Sequence, residues 1–140
     1  MDFTAEGSVV AKDIYVALKK MMQECDLIVA DCNQLRGVLM DDGAAYELGY
    51  CNALGKPSYG YVDTLDSLSK NIVNYFVLEK NESDEYIDSH GYLVGDDFGT
   101  TINLMMQNGM TELNGSLVEG DFETCLQAIK DDLGSGKLKI

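Results

Sequence analysis

Apolar residues recur at intervals of three and four along residues 11–25, where Ile14, Ala17, Leu18, Met21, Met22 and Cys25 fall on one side of a helical wheel. The spacing predicts an amphipathic helix over residues 11–24 that covers a sheet, preceded by a flexible lead-in of ten residues. Residues 26–30 (DLIVA) form a short continuous apolar run bounded by acids, the pattern of a strand buried on both faces of a parallel sheet, with Asp31 as its end. From Gly43 the helical period returns in Ala44, Ala45, Leu48 and Cys51, and Gly55 closes this helix ahead of Pro57. Residues 58–62 (SYGYV) read as a second parallel strand. Tyr59 and Tyr61 share one of its faces and are assigned to core packing, and Gly60 marks the close approach of another backbone.

Beyond residue 63 the pattern weakens. Residues 71–79 (NIVNYFVLE) fit a helix or a strand, and residues 81–99 are polar, acidic and glycine-bearing, as a long surface loop would be. Thr100 or Thr101 is placed to cap a short helix carrying Ile102, Met105 and Met106 on one side. Residues 111–116 (TELNGS) are assigned to an edge strand and turn. Asp121 caps a last amphipathic helix with Phe122, Cys125, Leu126, Ile129 and Leu133 inward, ended by Gly134 and followed by an exposed tail, GSGKLKI. This alternation of helices and strands predicts a single α/β domain over residues 1–140, with a parallel sheet between two layers of helices.

Composition narrows what such a domain does. Its 24 acids against 10 bases give a net charge of −14, which argues against binding to nucleic acid polymers or anionic membranes. Uncharged small molecules meet no such repulsion, and Arg36, Lys56 or a helix N-terminus is a local place for an anionic one. The four cysteines form no CxxC pair and are expected as buried thiols, while the single histidine, His90, gives no basis for a metal site. No segment has the length of a membrane span, and the start lacks a basic region followed by an apolar one, so a cytoplasmic protein is expected.

The candidate chemistry lies in residues 41–56, DDGAAYELGYCNALGK. This stretch follows the carboxyl end of the first predicted strand, where open α/β sheets bind their ligands. Glu47 falls early in the predicted helix, where the dipole and free N–H groups favour a charged carboxylate, the form a covalent nucleophile needs. Ala44, Ala45 and Gly49 leave room for a ligand or for close helix packing. A purely structural reading stands beside this one: glutamate is common in first turns for dipole reasons, and Asp41 or Asp42 serves simply as an N-cap.

These residues resemble the signature of the nucleoside 2-deoxyribosyltransferase family. Its Asp, any residue, Gly, Ser or Thr, two residues, Glu, any residue, Gly pattern reads here as Asp41, Asp42, Gly43, Ala44, Ala45, Tyr46, Glu47, Leu48, Gly49, with Ala44 where the family has a hydroxyl. Upstream, CDLIVADCNQLRG resembles the family's third strand and loop, and Asn103, Leu104 and Met105 match its Asn-Leu-Met segment. The resemblance runs from about residue 11 to residue 129, loosely between 63 and 99. It implies a flavodoxin-like, Rossmann-like three-layer fold, N-terminally shortened, because the family's opening strand-helix-strand unit has no counterpart here. Leu18 also stands where a base-binding Asp or Asn is usual.

The resemblance further implies transfer of a 2-deoxyribosyl group between nucleobases through a glycosyl ester on Glu47, with Asp41 binding the sugar and orienting Glu47. Gly43 would line the substrate site. Asn103 and Met105 would complete the pocket of a neighbouring subunit, so a homo-oligomer with shared sites is expected. The implied partners are a nucleoside and a free nucleobase, with neither cofactor nor metal. Hydrolysis of a deoxynucleoside or its 5′-monophosphate at the same site, and noncatalytic nucleoside or nucleotide binding, are the two alternatives.

Overall fold

The structure, a computed structural model, describes residues 7–94 and 98–140. Helix α1 (Gly7–Glu24) leads into strand β1 (Ile28–Asp31), followed by α2 (Asp42–Ala53), β2 (Ser58–Val62), a short α3 (Leu68–Ile72) and the pair β3 (Leu78–Lys80) and β4 (Tyr86–Asp88). Then come α4 (Leu104–Glu112), β5 (Ser116–Glu119) and α5 (Phe122–Ser135). The main sheet has the order β1-β2-β5, all parallel, with Ile28 opposite Ser58 and Tyr59 opposite Ser116. Strands β3 and β4 form a separate antiparallel pair.

Alternation along β2 divides the core in two. Val62 turns toward α2 and α4, joining Ala30, Cys32, Leu48, Ile102 and Met110. Tyr59 and Tyr61 turn the other way, toward Cys125 and Ile129 of α5 and toward Leu138. The result is the predicted three-layer α/β arrangement, with the tyrosines in the core. Each large apolar side chain fully buried in such a core is worth about 1.5–3 kcal/mol.

Tyr59 is wholly buried and keeps its polar end satisfied: the hydroxyl donates to Asp132 Oδ2 at 2.8 Å and to the Asn114 carbonyl at 3.3 Å. Lys137 Nζ bonds the same carboxylate oxygen at 2.7 Å. Lys137, followed by Tyr59, holds the Asp132 carboxyl below its ordinary range, while burial and the Asp132 bond push the Tyr59 phenol up. Gly60 sits on the other face, where a Cβ would come within 2.6 Å of Cys32 Sγ. The close approach expected there is real, but it is made by side chains rather than by a second backbone.

Several expected boundaries move. Residues 1–6 of the predicted lead-in lie outside the described residues, and the helix already runs from Gly7. Helix α1 packs on α2 rather than covering the strands. Its expected inward stripe is therefore largely exposed at Ile14, Leu18 and Met21, and Met22 is the buried one. Beside it, β1 pairs with β2 alone, so its outer edge carries no strand among the described residues.

The stretch 71–79 splits between α3 and β3, and the predicted loop 81–99, of which 95–97 lie outside the described residues, contains β4. Thr101 does not cap α4: its hydroxyl donates to the Leu65 carbonyl at 3.0 Å, and its N–H goes to Gln107 Oε1 at 2.8 Å. Asn103 caps instead, its side chain accepting from Met105 N at 3.0 Å. Helix α4 then runs through Glu112, so the predicted strand moves to Ser116–Glu119, still at an edge of the sheet.

Helix α5 passes Gly134 and ends at Gly136, which takes the left-handed conformation at φ 77°. Phe122 and Leu133 are exposed rather than inward. The tail folds back, placing Leu138 in the core and bonding its N–H to the Asp132 carbonyl at 3.0 Å.

Two glycines predict opposite responses to the same substitution. A Cβ on Gly115 would fall 1.9 Å from the Ser58 carbonyl oxygen, backbone that cannot give way without parting β2 from β5, whereas one on Gly134 meets nothing within 4 Å. Gly115→Ala should lower the unfolding free energy by about 3 kcal/mol or more, beyond ordinary overpacking, and Gly134→Ala should raise it by about 0.5–1 kcal/mol. Urea denaturation of the two variants checks both signs.

The Asp132 contacts set a second expectation. Its folded-state pKa lies below the ordinary value of 3.8, so its contribution is complete above that pH and fades as pH falls through the lowered value. Asp132→Asn should be less stable than the parent chain at neutral pH, and the gap should narrow on acidification below pH 3.8, as read from urea midpoints along a pH series.

Candidate active site

The site begins where α2 begins. Asp41 is the N-cap, its carboxylate Oδ2 accepting from Ala44 N at 2.9 Å and its carbonyl accepting from Ala45 N at 3.0 Å. Gly43 lies directly against this carboxylate, since a Cβ there would come within 2.9 Å of Oδ2. The cap also explains why Ala44 needs no hydroxyl: the N–H that a side chain would help to satisfy is already taken by Asp41.

Successive residues on a helix are rotated by about 100°, and this separates the motif into two flanks. On one, Asn52 Nδ2 donates to the Gly109 carbonyl of α4 at 3.0 Å, and Ala45 and Asp42 border a cavity. On the other, Tyr50 accepts from Gln23 of α1 at 3.0 Å, stacks with Tyr46 at 6.1 Å between ring centroids, and lies 5.7 Å from Lys19 Nζ. Glu47 belongs to this second flank, with Gly43 and Tyr50, on the side of the open edge of β1.

Glu47 is half-buried and has no hydrogen bond or ion pair among the described residues. Its charge reaches Cys51, whose thiol is pushed up to about 11 chiefly by burial and the neighbouring Cys25, with Glu47 adding to them.

The cavity holds about 590 Å³ and opens beyond the carboxyl ends of β1 and β2. Asn33, Asp63, Thr64, Asn71, Asn74 and Asn103 supply its polar wall. Of the five residues proposed for the site, Asn103 alone lines this cavity. Asp41 and Gly43 form the helix start, Glu47 lies on the far flank, and Met105 is three-quarters exposed outside it.

Asn33 was visible in the loop after the first strand, and it ties the two loops together. It accepts from Asp63 N at 2.8 Å while donating to Asp31 Oδ1. Asn71 and Asn74 gave no signal, because their segment carried no clear period. Cys32 forms part of the floor, its thiol pushed up to about 12 by burial and then by Asp31, so it is inert there. Lys56 is not available to an anionic ligand: its Nζ donates to the Gln23 carbonyl at 2.6 Å and to that of Cys25, closing the end of α1.

Comparison with known proteins bears on this geometry. A sequence model of the family described as nucleoside 2-deoxyribosyltransferase matches residues 1–105, a span that holds both the 41–49 motif and the Asn-Leu-Met segment. Among solved structures, a 2-desoxiribosyltransferase from Leishmania mexicana superposes with a TM-score of 0.62 at 25% sequence identity, covering 86% of this chain and 68% of that one. No curated protein matches the chain. With the motif at the head of α2, the parallel sheet behind it and three-quarters of its length within the family's pattern, the chain belongs to the nucleoside 2-deoxyribosyltransferase family.

Proposed function

We propose that the chain transfers 2-deoxyribosyl groups between nucleobases, with Glu47 as the covalent nucleophile. The observation that carries this reading is the state of Glu47 in a chain of this family: half-buried near the head of α2, with no partner among the described residues to hold its charge back. In the first step a Glu47 oxygen bonds to C1′ of the nucleoside. The bond from C1′ to the base nitrogen breaks, its electron pair leaves with the base, and the base takes up a proton. In the second step an incoming base attacks C1′ from the opposite face, releases Glu47 and loses a proton, so two inversions give net retention.

Asp41 acts through the start of α2. By fixing the first turn it sets the angle at which Glu47 leaves the helix. The sugar would lie along the flank of Gly43 and Glu47, next to α1. The exposure of Met105 suits the expected role of this residue and Asn103 in completing the pocket of a neighbouring copy within a homo-oligomer.

Hydrolysis is the second reading. It is favoured by the open edge of β1 beside Glu47, which admits water as the group that resolves the ester.

Incubation of the chain with a deoxynucleoside and a foreign base should yield the new nucleoside, and Glu47→Ala should lower the rate by at least about a thousandfold. The peptide holding Glu47 should gain the mass of one deoxyribosyl group when the reaction is quenched. Free base without exchange would replace transfer by hydrolysis, and an unchanged mixture from folded protein would refute both.

Asp41 gives a separate expectation. Asp41→Ala should cost about 1 kcal/mol of stability through loss of the cap, while Asp41→Asn should keep most of it. Catalysis should weaken in both variants, as measured by thermal unfolding alongside turnover.

A further inference from the structure

The 590 Å³ cavity takes no part in the chemistry assigned to Glu47. It meets α2 at Asp42 and Ala45, and the body of that helix stands between it and the Glu47 carboxylate. Its volume is nevertheless that of a small-molecule site, and its walls are selective.

Three carboxamides border it, Asn71 half-buried and Gln34 and Asn74 exposed to solvent. The side chains of Gln34, Asn71 and Asn74 make no hydrogen bond among the described residues, and Asn71 and Asn74 lie one turn apart at the end of α3. A carboxamide offers one donor and one acceptor side by side, the pairing that matches adjacent donor and acceptor atoms on a purine or pyrimidine edge. Behind them Val62, Leu68, Ile102 and Met106 supply an apolar surface for the faces of a flat ring, and Tyr75 stands half-exposed where a ring can stack.

Charge narrows the ligand further. Asp42 and Asp63 line the cavity and no lysine or arginine does, so a phosphate or carboxylate there meets repulsion without a counter-charge. Both acids suit sugar hydroxyls or an exocyclic amine instead.

We infer that this cavity is a second binding site, separate from Glu47, for an uncharged heterocycle: a free nucleobase or a nucleoside without phosphate. Binding there is not turnover. It gives the chain a second point of contact with the class of molecule that the Glu47 flank is proposed to convert, and a ligand held there stabilises the loops after β1 and β2 against each other.

The test is residue-resolved NMR on the full chain labelled with ¹⁵N, titrated with adenosine and thymidine, with adenine and thymine, and with the two nucleoside 5′-monophosphates. A nucleoside or its base should shift the side-chain amide signals of Asn71, Asn74 and Gln34 and the backbone signal of Thr64. If adenine or thymine shifts them as strongly as its nucleoside, the base alone is read; if the nucleosides are stronger, the sugar contributes.

In the double variant Asn71→Ala/Asn74→Ala the shifts that remain readable, at Gln34 and Thr64, should report an affinity weaker by roughly tenfold, with the rest of its amide spectrum and its deoxyribosyl transfer rate unchanged. Glu47→Ala should leave the cavity shifts intact, so transfer that survives this substitution with those shifts retained would refute the Glu47 reading alone. Shifts confined to residues 43–50 and α1, monophosphates as effective as nucleosides, or no shift at Asn71 and Asn74 at millimolar ligand would overturn the inference.

Discussion

The bond from Ala44 N to the Asp41 carboxylate sets the phase of α2, and most of the functional geometry depends on that phase. An α-helix has no freedom to rotate one residue independently of the next. Once its first turn is fixed, Leu48 and Cys51 are committed to the core, Ala45 and Asn52 to the side of α4, and Glu47 to the side of α1. Gly43 is part of the same constraint, since a side chain there would press against the carboxylate that makes the cap. A motif that reads in sequence as chemistry is thus also a device for starting a helix at one residue and no other. The role proposed for Asp41 acts through this same observed cap.

The parts of the fold that were legible are those where one local rule acts alone. The two tyrosines of β2 could be assigned to one face because a strand alternates, and Asp121 could be assigned to the cap of α5 because its carboxylate has only Thr124 to satisfy. The start of α4 was misread because Thr101 has the composition of a cap but is drawn to the Leu65 carbonyl and Gln107, contacts made through tertiary structure. The tail was misread for the same kind of reason: Leu138 looks like a stray apolar residue until Lys137 and Asp132 bring it back across α5. In the site, the motif at the head of α2 was legible because its residues are contiguous. The cavity was not, because its walls come from four separated segments and Asn71 and Asn74 lie where the periodicity fails.

Helix α1 shows where pattern and packing part company. Its apolar residues recur at helical spacing, yet Ile14, Leu18 and Met21 are exposed, because among the described residues β1 has no second neighbour to carry the sheet beneath them. What holds α1 in place, besides the buried Met22, is polar and aromatic: Gln23 on Tyr50, Lys19 over Tyr50, and Lys56 across the last carbonyls of the helix. These contacts are weak one by one in water-exposed settings. The flank that holds Glu47 is therefore bounded by a helix with little apolar anchoring, apart from the core of Tyr59 and Met110.

Electrostatics ties the two flanks of α2 together. A net charge of −14 repels anions at long range, and salt reduces that repulsion only beyond about 8–10 Å. At the cavity the local charges act in the same sense, since Asp42 and Asp63 line it, whereas the Glu47 flank has Lys19 beside Tyr50. A ligand that approaches the cavity without a phosphate meets none of this cost. A phosphorylated one meets it twice, first from the whole molecule and then from the wall. The acidity therefore bears on the proposed ligands too, since it weighs against a nucleotide relative to an uncharged nucleoside or base before any single hydrogen bond is made.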